Sequence, residues 1–270
     1  MTQKRFDEWS HVVPQEQAAP HIFVLLNTVT DPALLTTWIE KEWANQSIPL
    51  YAHTPMKTIL PSSPWLLEVN IQHGADIAEW VDQHQHIPWG WAYTSIEQWW
   101  AQVTHWRSYL QVMMGERLRA IRFQDPRILG VWLTRNETAL WHGLLSPVQS
   151  VRLPNGDSYV SPLMTEDRNE TFPWVLPASL IDAWHRSEFG VEMKASDFDL
   201  SAWETLPEQA EYYFQQGGEL KAQFKSVLAT LAAQGKDLHV LTLPQLFELL
   251  NDRYQGAAVC PTEKHAQIAS

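Results

Sequence analysis

Three sets of side chains in this sequence have the types that do chemistry. The first is a set of 11 histidines, with His84 and His86 two apart and His53 and His73 in the same half of the chain. Imidazole is a common zinc ligand, but zinc sites carry recognisable spacings such as HExxH or paired CxxC, and none is present. The histidines therefore read as solvated groups at helix ends and in loops, and no metal or other cofactor is expected. The second set is Glu166, Asp167 and Glu170 in the stretch TEDRNE. Paired acids in a tryptophan-rich chain could hydrolyse glycosides, although an acidic cluster in a polar connector is also what a hydrated loop looks like. The third is the lone Cys260, which cannot form an internal disulfide and has no recognisable base beside it. There is no GxSxG elbow, and the first strand-to-helix turn, NTVTDP, lacks the glycines that let backbone approach a pyrophosphate. The expectation is a protein that is not an enzyme.

The most informative short motif is FQDPRIL, residues 123–129. Asp125 and Pro126 have a structural explanation as helix N-cap and first helical residue. Arg127 does not, because a cation in the first turn opposes the helix dipole by roughly 0.3–1 kcal/mol. It requires either an internal carboxylate or carbonyl, or a contact with a partner. Tryptophan is the other candidate for recognition. There are 15, and rings of this size serve both cores and binding surfaces, including platforms for a sugar.

The elements that must position these residues follow from periodicity. HIFVLLN, residues 21–27, is a continuous apolar run of the buried-strand kind. Asp31 and Pro32 open a helix with Leu34, Leu35, Trp38, Ile39 and Trp43 on one face. Extended segments are predicted at 49–53 and 65–69, separated by LPSSP, and then a helix carrying Ile77, Trp80 and Val81. A strand over 89–93 leads to a helix with Ser95 and Gln98 as capping box and Ile96, Trp99, Val103 and Trp106 on its face. Gly115-Glu116 marks a hairpin, Asp125-Pro126 a helix, and Asn136 the start of a short one containing Leu140 and Trp141. A second hairpin is signalled by Asn155-Gly156, and a connector by Pro162, Pro173 and Pro177. Helices are then predicted near 178–189, 206–216, 219–234 and 244–254.

The expected fold class is α/β: a mixed-sheet lobe with flanking helices over residues 20–150, a hairpin and Pro-rich connector over 151–177, a helical lobe over 178–256 and a flexible tail over 257–270. At 270 residues and 45% hydrophobic content, the chain can bury a sizeable core without disulfides. Residues 1–20 lack the apolar stretch of a secretion signal, and no run reaches the roughly 18 apolar residues of a membrane span. A net charge of −12, with 19 Lys and Arg that form no tract, argues against nucleic acid as a partner. The expected location is cytoplasmic.

The order of motifs carries a resemblance. PWLLEV, a helix, WGWAYTS, SIEQWW, a basic hairpin ending in IRFQDPRIL and a helix closing at GLLSPV together resemble the adaptor-chaperone domain of type VI secretion systems, over about residues 22–150. Pro64-Trp65-Leu66, Trp89-Gly90 and Phe123 with Asp125-Pro126-Arg127 carry most of it, while Trp99-Trp100 and the Trp89/Trp91 pair are richer in aromatics than the family pattern. The resemblance implies a two-lobed, non-catalytic adaptor that binds a secreted effector protein and hands it to the VgrG spike protein. Trp65, Trp89, Trp91, Asp125 and Arg127 become the candidate protein-binding residues. A carbohydrate-binding or carbohydrate-active protein using exposed tryptophans is the alternative reading.

Overall fold

A computed structural model describes residues 20–162 and 172–258, with the side chains of 255–258 left aside. The Glu166, Asp167 and Glu170 cluster, Cys260 and the first 19 residues lie outside the described residues. Two compact units are present, one through Leu180 and one from Ile181.

The first unit is organised by its apolar strands. β1 (His21–Leu26) sits between β3 (Trp65–Val69) and β4 (Gly90–Ser95), and β2 (Ala44–Pro49) lies outside β3. β7 (Ser150–Arg152) and β8 (Ser158–Val160) continue the sheet beyond β4, giving the order β2-β3-β1-β4-β7-β8. All of these pairings are antiparallel, which refines the expected mixed sheet. A mixed sheet would need some parallel neighbours, and the strand directions explain why these pairings have none. β1 and β2 run the same way but β3 is inserted between them. β3 and β4 run the same way but β1 is inserted between them. The two strand–helix–strand units, joined by α1 (Ala33–Glu40) and α2 (Gly74–Gln83), are thus split and interleaved in the ferredoxin-like manner.

Residues alternate between the two faces of these strands. On one face Ile22, Val24, Leu26, Leu67 and Val69 pack with Leu34 and Trp38 of α1 and Ile77, Trp80 and Val81 of α2. On the other, Phe23, Trp91 and Tyr93 meet Trp106 of α3 (Trp99–Ser108) and Phe123. Both faces of β4 are therefore covered, and all six of its residues are buried. Gly90 is required where β4 passes β1: its φ is +131°, and a Cβ there would fall 2.0 Å from the Leu25 carbonyl oxygen.

The expected hairpin is β5 (Gln111–Met114) with β6 (Arg117–Ala120), turning at Gly115 with φ +61°. α4 (Pro126–Thr134) and α5 (Thr138–His142) follow, then the β7–β8 hairpin around Gly156. The strand expected at 49–53 is displaced. β2 ends at Pro49, and Tyr51 to Thr54 form turns in which His53 has φ +60°. The helix expected from Ser95 starts only at Trp99, because Ser95 completes β4.

α6 (Ala178–Arg186) crosses the boundary between units. The helical unit continues with α7 (Glu188–Thr205), α8 (Pro207–Gly217), α9 (Leu220–Ala233) and α10 (Leu243–Ala258). Its core joins Val191, Ala195 and Ala202 of α7 to Tyr213, Phe224, Leu228, Leu246 and Phe247. Gln223 is buried within it: its Nε2 donates to the Tyr213 and Gly218 carbonyls at 2.9 Å each, and its Oε1 accepts from the Tyr254 hydroxyl at 2.8 Å.

Candidate protein-binding site

The site is built on the start of α4. Asp125 caps that helix with extended backbone (φ −79°, ψ 113°), and its Oδ1 accepts from the Arg127 amide at 3.1 Å, while Pro126 supplies the first helical residue. The Asp125 side chain is fully buried. Arg127 donates to it twice more, through Nε at 2.9 Å and a terminal nitrogen at 2.7 Å. Arg122 adds a fourth hydrogen bond at 3.0 Å. One buried carboxylate thus holds two guanidinium groups whose side chains remain 38% and 39% exposed. This arrangement explains how a cation is tolerated at a helix start: the cap itself neutralises it. The segment leading into the cap is also fixed, because the Trp91 indole donates to the Phe123 carbonyl at 2.8 Å and Phe123 stacks on Trp106 at 5.2 Å.

Beside this cap lies an open groove of about 510 Å³. Pro126, Arg127, Gly130, Val131 and Thr134 of α4 form one wall, the β7–β8 turn with Leu153, Pro154 and Tyr159 another, and residues 85–88 the third. The turn is braced from inside by Arg152, which is 2% exposed and donates to the Gly156 carbonyl and, at 3.1 Å, to the Ser158 hydroxyl. Burial lowers the Arg152 pKa, while Asp82 and Asp157 act the other way. Burial, and then the charge of Asp157, raise the Tyr159 phenol above its ordinary value. The chemistry on offer is a trough with apolar stretches whose polar lining carries both signs, Arg127 on α4 and Asp157 on the β7–β8 turn, suited to an apolar side chain flanked by polar groups.

The five candidate residues are distributed unevenly about this site. Arg127 lines the groove and Asp125 holds it there. Trp91 is fully buried and acts from beneath, through Phe123. Trp89 is also fully buried, on the opposite face of the sheet, with its ring 5.7 Å from Trp80. Trp65 is half-buried against that same cluster. As folded, neither Trp89 nor Trp91 presents surface to a partner: Trp91 lies in a strand covered on both faces, and Trp89, just before β4, is buried in the cluster around Trp80. Trp100, at 67%, and Trp203, at 40%, are the described tryptophans that stand exposed, and they belong to different units. Sequence reasoning missed Arg122 and both outer groove walls. Arg122 was detectable in principle, being one turn before an aspartate already assigned as a cap.

His84 stacks on Trp80 at 4.5 Å and its Nδ1 donates to the Trp80 carbonyl, while His86 lines the groove. Among the described residues no three His, Cys, Asp or Glu side chains gather as metal ligands, and no helix is long and apolar enough to cross a membrane.

Fold and site together define a ferredoxin-like α/β domain, extended by a hairpin and carrying a surface groove, followed by a helical unit. Residues 22–142 match the model of a family described as a domain of unknown function, DUF4123, which is associated with type VI secretion effector adaptors. That match runs from β1 to the last residue of α5. No curated protein and no solved structure matches the chain.

Proposed function

We propose that this chain is a non-enzymatic adaptor of the bacterial cytoplasm that binds a type VI secretion effector and delivers it to the VgrG spike. The observation that carries the proposal is the family match over residues 22–142, which spans the interleaved sheet and its helices up to α5. The geometry is compatible with it. The groove beside Arg127 is open, and its apolar stretches among polar and charged side chains have the composition of a protein-recognition patch. Exposed apolar side chains such as Trp100 in the α/β unit and Leu200, Trp203 and Phe214 in the helical unit add further surface of the kind that protein partners cover.

The test is co-expression of the tagged chain with the VgrG and toxin products encoded beside its gene. Co-purification of a toxin, and of VgrG in its presence, is the expected outcome. Recovery of neither overturns the reading. In the same assay Arg127→Glu, which places an acid beside Asp125 at the groove rim, is expected to weaken toxin capture about tenfold or more.

A further inference from the structure

The β5–β6 hairpin has two edges in different states. On the β5 side an extended segment is already bound: the Met113 amide donates to the Trp174 carbonyl at 2.8 Å, and the Leu176 amide donates to the Met113 carbonyl at 2.9 Å. Met113 therefore turns its main-chain groups away from β6. Val112 and Met114 turn theirs toward it, facing Arg119 and Arg117, and the Ile121 amide extends this ladder to the Leu110 carbonyl. By alternation, Leu118 and Ala120 direct their N–H and C=O outward, and among the described residues nothing pairs with them.

The side chains along that free edge are equally distinctive. Every residue of β6 is exposed. Arg117 and Arg119 share one face of the strand, and neither has a carboxylate partner among the described residues. Leu118, 49% exposed, occupies the other face. In a chain of net charge −12 this is a local reversal of sign.

We propose that the outer edge of β6 binds an extended acidic segment of a partner protein by strand addition. The segment carries acidic residues at alternate positions, opposite Arg117 and Arg119, with an apolar residue between them to meet Leu118. Main-chain hydrogen bonds to Leu118 and Ala120 supply affinity, and the alternating acids supply selection. Charged side chains also guard free edges against self-association. The two roles differ in sign: a guard works with either charge, whereas recruiting an acidic strand needs a positive one. The proposal deepens the adaptor reading and rests on it only for the identity of the protein that carries the segment.

The experiment uses the full chain and a short fluorescent peptide of alternating Glu and Val, with a Lys-Val peptide and a Glu-Val peptide N-methylated at alternate residues as controls. Anisotropy is expected to show the Glu-Val peptide binding at least about tenfold more tightly than either control, with the Leu118 and Ala120 amides shifting in NMR spectra. The double variant Arg117→Glu, Arg119→Glu is expected to exchange the preference, taking Lys-Val over Glu-Val. That gain shows that the variant is folded. Failure of the Glu-Val peptide to bind overturns the proposal. So does equal binding of the N-methylated peptide, or amide shifts confined to other residues. None of these measurements involves an effector. A toxin captured equally well by the wild type and the double variant would overturn the edge assignment while leaving the adaptor reading in place.

Discussion

In the α/β unit the interior is made of rings. Trp38 meets Trp43 and Trp80 edge-on at 5.5 and 5.7 Å on one face of the sheet, and Trp91 meets Trp106 at 5.6 Å on the other. In the helical unit the contacts of α7 are made by Val191, Ala195 and Ala202, while large side chains such as Leu200, Trp203, Tyr212 and Phe214 remain at the surface. Of the described tryptophans only Trp184 and Trp203 belong to that unit. Both faces of the sheet are lined with indoles, whereas the buried face of α7 is made of small residues and the rings of the helical core, Tyr213, Phe224 and Phe247, come from the other helices. Tryptophan abundance in the α/β unit therefore records how that core is filled. The surface features proposed above for recognition, the rim at Arg127 and the outer edge of β6, lie outside that ring-filled core.

The largest effect is expected at Trp91. Trp91→Ala removes a fully buried ring and its hydrogen bond to Phe123, and is expected to cost about 3–5 kcal/mol, measured by denaturant unfolding of the full chain. A cost near 1 kcal/mol would mean that the ring-filled core does not carry the stability of this unit. Asp125→Ala comes next, at about 2–4 kcal/mol, since it removes a helix cap and leaves two guanidinium groups without their carboxylate. The upper limit is held down because both arginines reach water. Asp125→Asn, which still caps, is expected to recover about 1 kcal/mol of the loss.

Asp125 also shows which parts of the molecule are legible from sequence. The cap, the proline and the arginine are three successive residues, so their interaction is local and readable. The same holds for the Gly115 and Gly156 turns and for the Thr242–Gln245 capping box, whose Gln245 side chain accepts from the Thr242 amide at 3.0 Å. The groove is not local: residues 85–88, 126–134 and 153–159 meet only because β7 pairs with β4. β2 was misplaced because ANQSIP is a polar edge strand without alternation. α7, the longest helix, was missed because its buried face is Gly190, Val191, Ala195 and Ala202, while its bulky residues Leu200 and Trp203 point outward. A helix that packs through small residues hides from a search for large apolar ones.

Trp203 is the exposed counterpart of Trp91 in the helical unit. Its ring is 40% exposed and pairs with Phe214 at 6.2 Å. Trp203→Ala is expected to cost less than about 1 kcal/mol in the same unfolding measurement, several-fold below Trp91→Ala. A cost equal to that of Trp91→Ala would show that the helical unit, too, depends on its large rings.

The smallest expected effect distinguishes the units by pH. In the helical unit His185 lies against His239, with ring centroids 5.1 Å apart, and burial, followed by the charge of His239 and Lys194, lowers its pKa below the ordinary 6.5. The folded chain therefore keeps this imidazole neutral at pH values where the unfolded chain has already taken up a proton. Below 6.5 the unfolded state binds more protons, so stability falls with falling pH until the folded-state value is passed, and the contribution is complete above 6.5. Thermal melts of the full chain at a series of pH values between neutrality and about 5 are expected to show this decline, and His185→Gln is expected to flatten it. Trp91→Ala should lower the melting temperature at every pH without altering the slope. A slope unchanged by His185→Gln would place the titrating group elsewhere and remove this distinction between the two units.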